Sequence, residues 1–140
     1  GVFALSNRTY AGPSAPAWDT AVAMERAGLL KDRPVPVTPD MVAIIAVARA
    51  VYDAGDLTPM QDRLAMNFLM DRSAALWAKD LAALKDQLGA CPTAEPPVAR
   101  GALGAVFRLN CEHGRLDGQI LLAPTRPLTV QALRLRSARD

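Results

Sequence analysis

The reactive side chains of this chain are few, and their spacing limits the chemistry that they could perform. One type of serine acyl transfer needs a serine followed three residues later by a lysine, which helps to take the hydroxyl proton. None of the four serines has this spacing, because the third residues after them are Thr9, Ala17, Leu76 and Asp140. Tyr-x-Asn, Lys-Thr-Gly and His-x-Gly sequences are also missing. We therefore expect no catalytic residue of this type within these 140 residues.

His113 is the only histidine, so any Ser-His-Asp arrangement would depend on it. It stands beside Gly114 in a predicted hairpin turn, where a solvated histidine is ordinary. Glu112 and Asp117 flank the same turn and could be an acid and a base. We expect these carboxylates instead to solvate the end of the hairpin and to pair with Arg115.

The two cysteines, Cys91 and Cys111, do not form a Cys-x-x-Cys motif, and one histidine cannot complete a zinc site with them. The sequence also lacks a glycine-rich phosphate loop. We therefore expect no metal and no cofactor. A disulfide between the cysteines would close a loop of about twenty residues and stabilise the fold by roughly 3 kcal/mol. Two buried free thiols are the alternative.

The charge and the apolar pattern make two classes of partner improbable. Sixteen basic and fourteen acidic residues give a net charge of +2, too small to indicate nucleic-acid binding. Arg134, Arg136 and Arg139 form a basic stripe without interleaved aromatic residues, which favours an exposed strand face. The longest apolar run, residues 41–48, is shorter than the roughly 18–20 residues of a membrane-spanning helix. We expect it to be a deeply buried helix.

One set of apolar side chains has two interpretations. It could line a small-molecule pocket between a helix and the sheet, but apolar residues at helical spacing more often form a core. The set consists of Met60, Met66, Phe68, Met70 and Trp77.

The helices that would position these residues have clear start and stop signals. A buried strand is predicted over residues 1–10, and an amphipathic helix from about Ala15 to Leu30. Three prolines in residues 34–39 indicate a stiff linker. Thr38 is a predicted N-cap for a helix that ends at Ala54 before Gly55. Residues 59–88 contain one bent helix or two.

The second half of the chain changes from helical to strand periodicity. Residues 102–136 alternate with period two in three segments, which predicts an antiparallel meander. The predicted fold class is α+β, with helices packed on one face of a three- to four-stranded antiparallel sheet, preceded by a strand–helix appendage.

The opening segment carries the one resemblance to a known family. Leu5-Ser6-Asn7-Arg8-Thr9-Tyr10, followed by the helix around Trp18–Ala27, resembles the last strand and closing helix of serine β-lactamase-like hydrolases. That superfamily includes class C β-lactamases, penicillin-binding DD-peptidases and esterases. Residues 11–15 depart from the class C pattern, because Ala-Gly-Pro-Ser-Ala stands where those enzymes carry Asn and Arg that help to hold the substrate carboxylate. The departure argues against β-lactamase activity in the strict sense.

The resemblance implies a domain division and a partner. Residues 1–33 would be the terminal strand and helix of an upstream hydrolase domain, 34–39 a linker, and 40–140 an accessory domain similar to cystatin or NTF2-like modules. Since the chain lacks a starting Met, we expect it to open in mid-protein, with its catalytic domain upstream. The family is mostly exported, which implies a periplasmic or secreted protein and favours the disulfide between Cys91 and Cys111.

The alternative hypothesis is a non-enzymatic module that binds a small molecule or a protein. In that case residues 1–10 would leave an unpaired apolar strand, and we expect the isolated chain to self-associate through it.

Overall fold

Helix α1 spans Ser14–Arg26 in the computed structural model of the chain, which describes residues 14–29 and 35–138. It ends four residues before the predicted Leu30, because Gly28 has a positive φ of 68° and Leu29 N–H donates back to Met24 C=O. The predicted strand over residues 1–10 lies outside the described residues. The chain divides into two units between Pro34 and Val35, and α1 belongs to the first.

Helix α2, Pro39–Ala54, begins and ends as predicted. The Thr38 hydroxyl accepts a hydrogen bond from Met41 N–H at 3.2 Å, and Pro39 occupies the first turn. Gly55 ends the helix with a positive φ of 79°, which a glycine adopts without strain. One part of the prediction is wrong: the helix is not deeply buried all round, because Val42 is 50% exposed.

Residues 58–88 contain a single α-helix in their second half. This differs from the prediction, which was either one bent helix over the whole segment or two helices. Thr58–Arg63 is a 3-10 helix, and it begins with a tight turn in which Asp56 Oδ1 accepts from Thr58 N–H at 2.8 Å. Residues 64–73 are irregular. Helix α3, Ala74–Leu88, then starts after Ser73, whose hydroxyl accepts from Leu76 N–H.

Within the described part of the chain, five antiparallel strands form one open sheet, which confirms the α+β class and adds one strand to the predicted three or four. The long strands are β3 (Gly104–Cys111), β4 (Gly114–Ala123) and β5 (Thr129–Ala138). The other two, β1 (Thr93–Ala94) and β2 (Val98–Ala99), both pair with β3. They are only two residues long because Pro92, Pro96 and Pro97 lack the N–H that a longer ladder requires.

The alternation in β3, β4 and β5 gives the sheet one apolar and one polar face. Alternate residues of β3 and β4 are buried in the same core as side chains of α2, the 3-10 helix and α3. In β5 a bulge at Gln131 interrupts the alternation, so Val130 and Leu133 both face this core. These three helices therefore cover one face, and no other element within residues 35–138 covers the opposite face, which we call the open face. The buried strand residues are Ala105, Phe107, Leu109, Leu116, Ile120, Leu122, Val130 and Leu133.

In the described residues no helix has both the length and the apolar character needed to cross a bilayer. The apolar run at residues 41–48 lies inside the sixteen-residue α2, about 24 Å long at 1.5 Å per residue. That length is below the roughly 30 Å of a hydrocarbon core.

Packing on the core face of the sheet requires a glycine at position 118. It pairs with Phe107 on β3, and a Cβ atom at Gly118 would overlap the Phe107 ring. The ring therefore lies across the glycine backbone, where every other residue type would displace it.

Gly118→Ala tests this contact. We expect it to lower the free energy of unfolding by about 1–3 kcal/mol, because the added methyl group overpacks a buried aromatic ring. Urea unfolding of the two single variants and the double variant with Phe107→Leu measures the coupling. The cost of Gly118→Ala should shrink when Phe107 is replaced by the smaller Leu, and an unchanged cost would contradict the assigned contact.

Candidate functional site

The open face of the sheet carries a row of charged side chains, one from each long strand. The register places Arg108 of β3 opposite Asp117 of β4, and Asp117 opposite Arg136 of β5. Alternation puts all three on the face away from the helices, because Leu109, Leu116 and Leu135 point to the core side. Arg115, two residues before Asp117 on β4, lies on the same face.

Arg108 and Asp117 form the central ion pair of this row. Arg108 Nε donates to Asp117 Oδ1 at 2.6 Å, and Nη2 donates to Oδ2 at 3.1 Å, so the pair is bidentate. These hydrogen bonds are the main reason why the pKa of Asp117 is lowered and that of Arg108 is raised. Arg115 and Arg136 lower the pKa of Asp117 further through space. The carboxylate therefore stays ionised.

Two adjoining depressions border this ion pair. One, of about 250 Å³, extends towards β2 and includes Glu95 and Val98. The other, of about 400 Å³, extends towards the end of β5. Three charged residues line both depressions: Arg108, Asp117 and Arg136. This cross-strand cluster is the candidate functional site.

Sequence reasoning found this site only in part. It placed Arg134 and Arg136 on an exposed strand face, where the structure also has them. It did not single out Arg108, which is the bidentate partner of Asp117. The signal for this pairing is the position of the turn, because Arg108 and Asp117 each lie four residues from Glu112–His113 and so become cross-strand neighbours.

The hairpin residues considered for acid–base chemistry have different partners. The turn itself is Glu112–His113, one residue earlier than predicted, since Gly114 already pairs with Cys111. Glu112 Oε2 accepts from Ala90 N–H at 3.2 Å, whereas Asp117 pairs with Arg108. The side chain of His113 is exposed. The structure therefore gives the two carboxylates separate structural roles.

A covalent and hydrogen-bonded corner joins the helices to the sheet. A disulfide links Cys91 to Cys111 at the end of β3. Arg49 of α2 donates to Cys91 C=O at 2.9 Å and to Pro92 C=O at 3.0 Å. Tyr52 Oη donates to Gly89 C=O at 2.7 Å, and burial raises the pKa of this phenol. These contacts fix the chain between α3 and β1, so the helical layer and the sheet form a rigid support for the open face.

The apolar set between residues 60 and 77 is divided between core and surface. Met60, Phe68 and Trp77 are buried, and the rings of Phe68 and Trp77 stack with centroids 5.5 Å apart. Met66 and Met70 are exposed, so the five side chains do not line one pocket. Arg72 covers the Trp77 ring at 4.7 Å and pairs with Asp80. Most of this set is therefore structural.

Within residues 14–29 and 35–138, no group of three or more His, Cys, Asp or Glu side chains is placed to hold a metal ion. Cys91 and Cys111 are joined to each other.

Asp117→Asn tests the ion pair through its pH dependence. The folded state lowers the pKa of Asp117, so the stabilisation is complete above the unfolded pKa of about 4 and is lost progressively as the pH falls from there through the lower folded-state pKa. We expect the variant to be slightly less stable than the parent at pH 7, and this difference to shrink as the pH is lowered below about 4. The effect is small because both side chains are about one-third exposed and therefore screened.

Urea unfolding at pH 7, 4 and 2 measures this difference, with Asp86→Asn of α3 as an exposed carboxylate control. A stability difference between the parent and Asp117→Asn that stays constant over this range would contradict the assigned pair.

The sequence matches no protein-family model, and no match is found among curated proteins or among solved structures.

Proposed function

We propose that this chain is the C-terminal accessory region of a serine hydrolase of the β-lactamase, DD-peptidase and esterase group, and is not catalytic on its own. The observation that carries the proposal is helix α1. Its residues, Ser14–Arg26, are those in which the resemblance to that group expects a closing helix. Trp18 on this helix is 72% exposed, and Leu29 just after it is 69% exposed.

A helix of this length needs a partner. Isolated helices shorter than about 12–15 residues are marginal in water, and α1 has 13 residues. Large apolar side chains such as Trp18 usually gain stability from burial in an interface. The sheet of an upstream hydrolase domain would provide such a surface, and its serine would attack an amide or ester carbonyl to form an acyl-enzyme. Residues 35–138 would then brace, cover or pair that domain.

The disulfide favours an oxidising compartment, because such bonds persist in the periplasm and outside the cell. We therefore propose that the protein is periplasmic or secreted.

A comparison of the complete gene product with the 140-residue chain tests the hydrolase proposal. We expect the longer protein to contain a Ser-x-x-Lys sequence upstream, to turn over a chromogenic ester or a cephalosporin, and to form an acyl adduct detectable by mass spectrometry. The 140-residue chain alone should neither turn over these substrates nor form the acyl adduct. Trp18→Ala should destabilise the longer protein, whereas Leu76→Ala, at a half-exposed site on α3, should have a smaller effect.

Two outcomes would contradict the hydrolase proposal: a gene that encodes no Ser-x-x-Lys upstream of Gly1, or a longer protein that neither acylates nor turns over substrate.

The second candidate function is a non-enzymatic module that binds a small molecule or a protein. The open, charged face of the sheet favours it, because no element within residues 35–138 covers that face while the disulfide corner holds it rigid. Binding by the 140-residue chain, with no turnover by the complete gene product, would support this candidate over the first.

A further inference from the structure

We propose that the free edge of strand β5 binds an extended, acidic protein segment as an additional antiparallel strand. The inference uses only the pairing of β3, β4 and β5, and it holds for either candidate function. β5 lies at one end of the strand order β1-β3-β4-β5, and no strand within residues 35–138 pairs with its outer side beyond Val130. With ten residues, β5 can accept a strand of ordinary length.

The backbone groups of β5 alternate between β4 and the free edge. Leu122 N–H of β4 donates to Leu103 C=O at 2.8 Å, so the backbone groups of Leu122 point towards β3. Since this direction alternates along an antiparallel strand, the odd-numbered residues of β4 point towards β5. Their partners Arg134 and Arg136 therefore use their N–H and C=O groups inside the sheet. The residues that direct these groups to the free edge are Leu133, Leu135 and Ser137.

The chain itself places an extended segment on this edge. Leu64 forms a parallel bridge with Val130, and Ala65 N–H donates to Val130 C=O at 2.9 Å. Within residues 35–138, no further backbone hydrogen bond reaches the edge groups of residues 133–137. Edge groups of this kind are a template on which another chain can pair.

The side chains of β5 determine the chemistry of that segment. Between residues 131 and 138 the charged side chains are Arg134 and Arg136, both exposed on the open face. Because their own backbone groups bond to β4, a residue added opposite either arginine occupies a non-hydrogen-bonded site, where the Cα atoms are only about 4.5 Å apart. Glu or Asp at these two sites would form cross-strand ion pairs.

The two arginines differ in their surroundings inside the sheet. Arg134 lies opposite the uncharged Gln119. Arg136 lies opposite Asp117, a carboxylate that Arg108 also binds. We therefore expect the acidic residue opposite Arg134 to contribute more to binding than the one opposite Arg136.

The remaining residues of the added strand would lie on the core side of the sheet. Leu135 packs against the core but is only half-buried. An apolar residue beside it would remove more of its surface from water. A segment in which acidic and apolar residues alternate therefore fits both faces of β5.

The same arginines argue against a second copy of this chain as the occupant. Antiparallel pairing of two β5 strands that uses all three edge residues is centred on Leu135. That register would place Arg134 directly opposite Arg136 of the second copy, at two symmetric positions. Like charges directly opposite each other destabilise a strand pair, so an acidic segment is the better partner.

A capped peptide of about eight residues in which Glu and Val alternate is the probe. It should bind the complete 140-residue chain in a titration at constant ionic strength, and a peptide with Lys in place of Glu should bind roughly tenfold more weakly. Arg134→Glu should weaken binding of the Glu peptide roughly tenfold, because an attraction becomes a repulsion, and Arg136→Glu by a smaller factor.

Arg100→Glu is the matched control for these two variants. Arg100 is exposed and follows β2, at the edge of the sheet opposite β5. The same change of charge there should weaken peptide binding less than about twofold, through long-range charge alone.

Hydrogen exchange of the unaltered chain tests the strand pairing itself. Before peptide is added, the amide protons of Leu135 and Ser137 should exchange much faster than those of Arg134 and Arg136, which bond to β4. The peptide should slow the exchange of Leu135 and Ser137 and leave that of the two arginines almost unchanged.

Two N-methylated peptides test the direction of the hydrogen bonds. Methylation of the valines should abolish binding, because their N–H groups would face β5 in antiparallel pairing. Methylation of the glutamates should leave binding intact, because their N–H groups would face away from β5.

The proposal would be overturned by any of four results. They are no binding of the Glu peptide at millimolar concentration, equal losses in Arg134→Glu and Arg100→Glu, equal binding of the two N-methylated peptides, and peptide-induced protection that centres away from residues 133–137.

Discussion

Alternation along β3, β4 and β5, interrupted by one bulge at Gln131 of β5, is the constraint on which the rest of the structure depends. Because successive side chains point to opposite faces, one set of residues meets the helices and the other set meets solvent. A slip of one residue in the register would exchange the two sets, moving Arg108 and Arg136 towards the core and Leu109 towards water. The buried core and the charged open face are therefore two results of the same pairing, and neither can change alone.

The disulfide and the hydrogen bonds around it connect the sheet to the helices. Cys91 and Cys111 connect the loop after α3 to the end of β3, and Arg49 and Tyr52 of α2 bind carbonyl groups of the same loop. Loop carbonyls that would otherwise need water are thus satisfied by side chains of the central helix. The result is a rigid scaffold that holds the open face in place, which is what a binding surface requires.

Sequence patterns predicted the elements whose signals are local. Thr38, Pro39 and Gly55 specify the ends of α2 through backbone chemistry that depends on adjacent residues only. The sequence patterns did not predict the elements whose structure depends on long-range packing. The 3-10 helix after Thr58 and the irregular residues 64–73 follow from fitting Met60 and Phe68 into the core, which no local rule contains. The pairing of Arg108 with Asp117 likewise appears only once the register is known, because cross-strand neighbours are distant in sequence.

The segment Ile120-Leu121-Leu122 of β4 offers the most direct test of the alternation. Three similar aliphatic residues stand in succession, yet Ile120 and Leu122 are each 1% exposed and Leu121 is 43% exposed. Hydroxyl-radical footprinting with mass spectrometry measures the oxidation rate of each side chain in the folded protein. We expect Leu121 to be oxidised several-fold faster than both neighbours, and the contrast to disappear in urea. Equal protection of all three, or faster oxidation of Ile120 and Leu122, would contradict it.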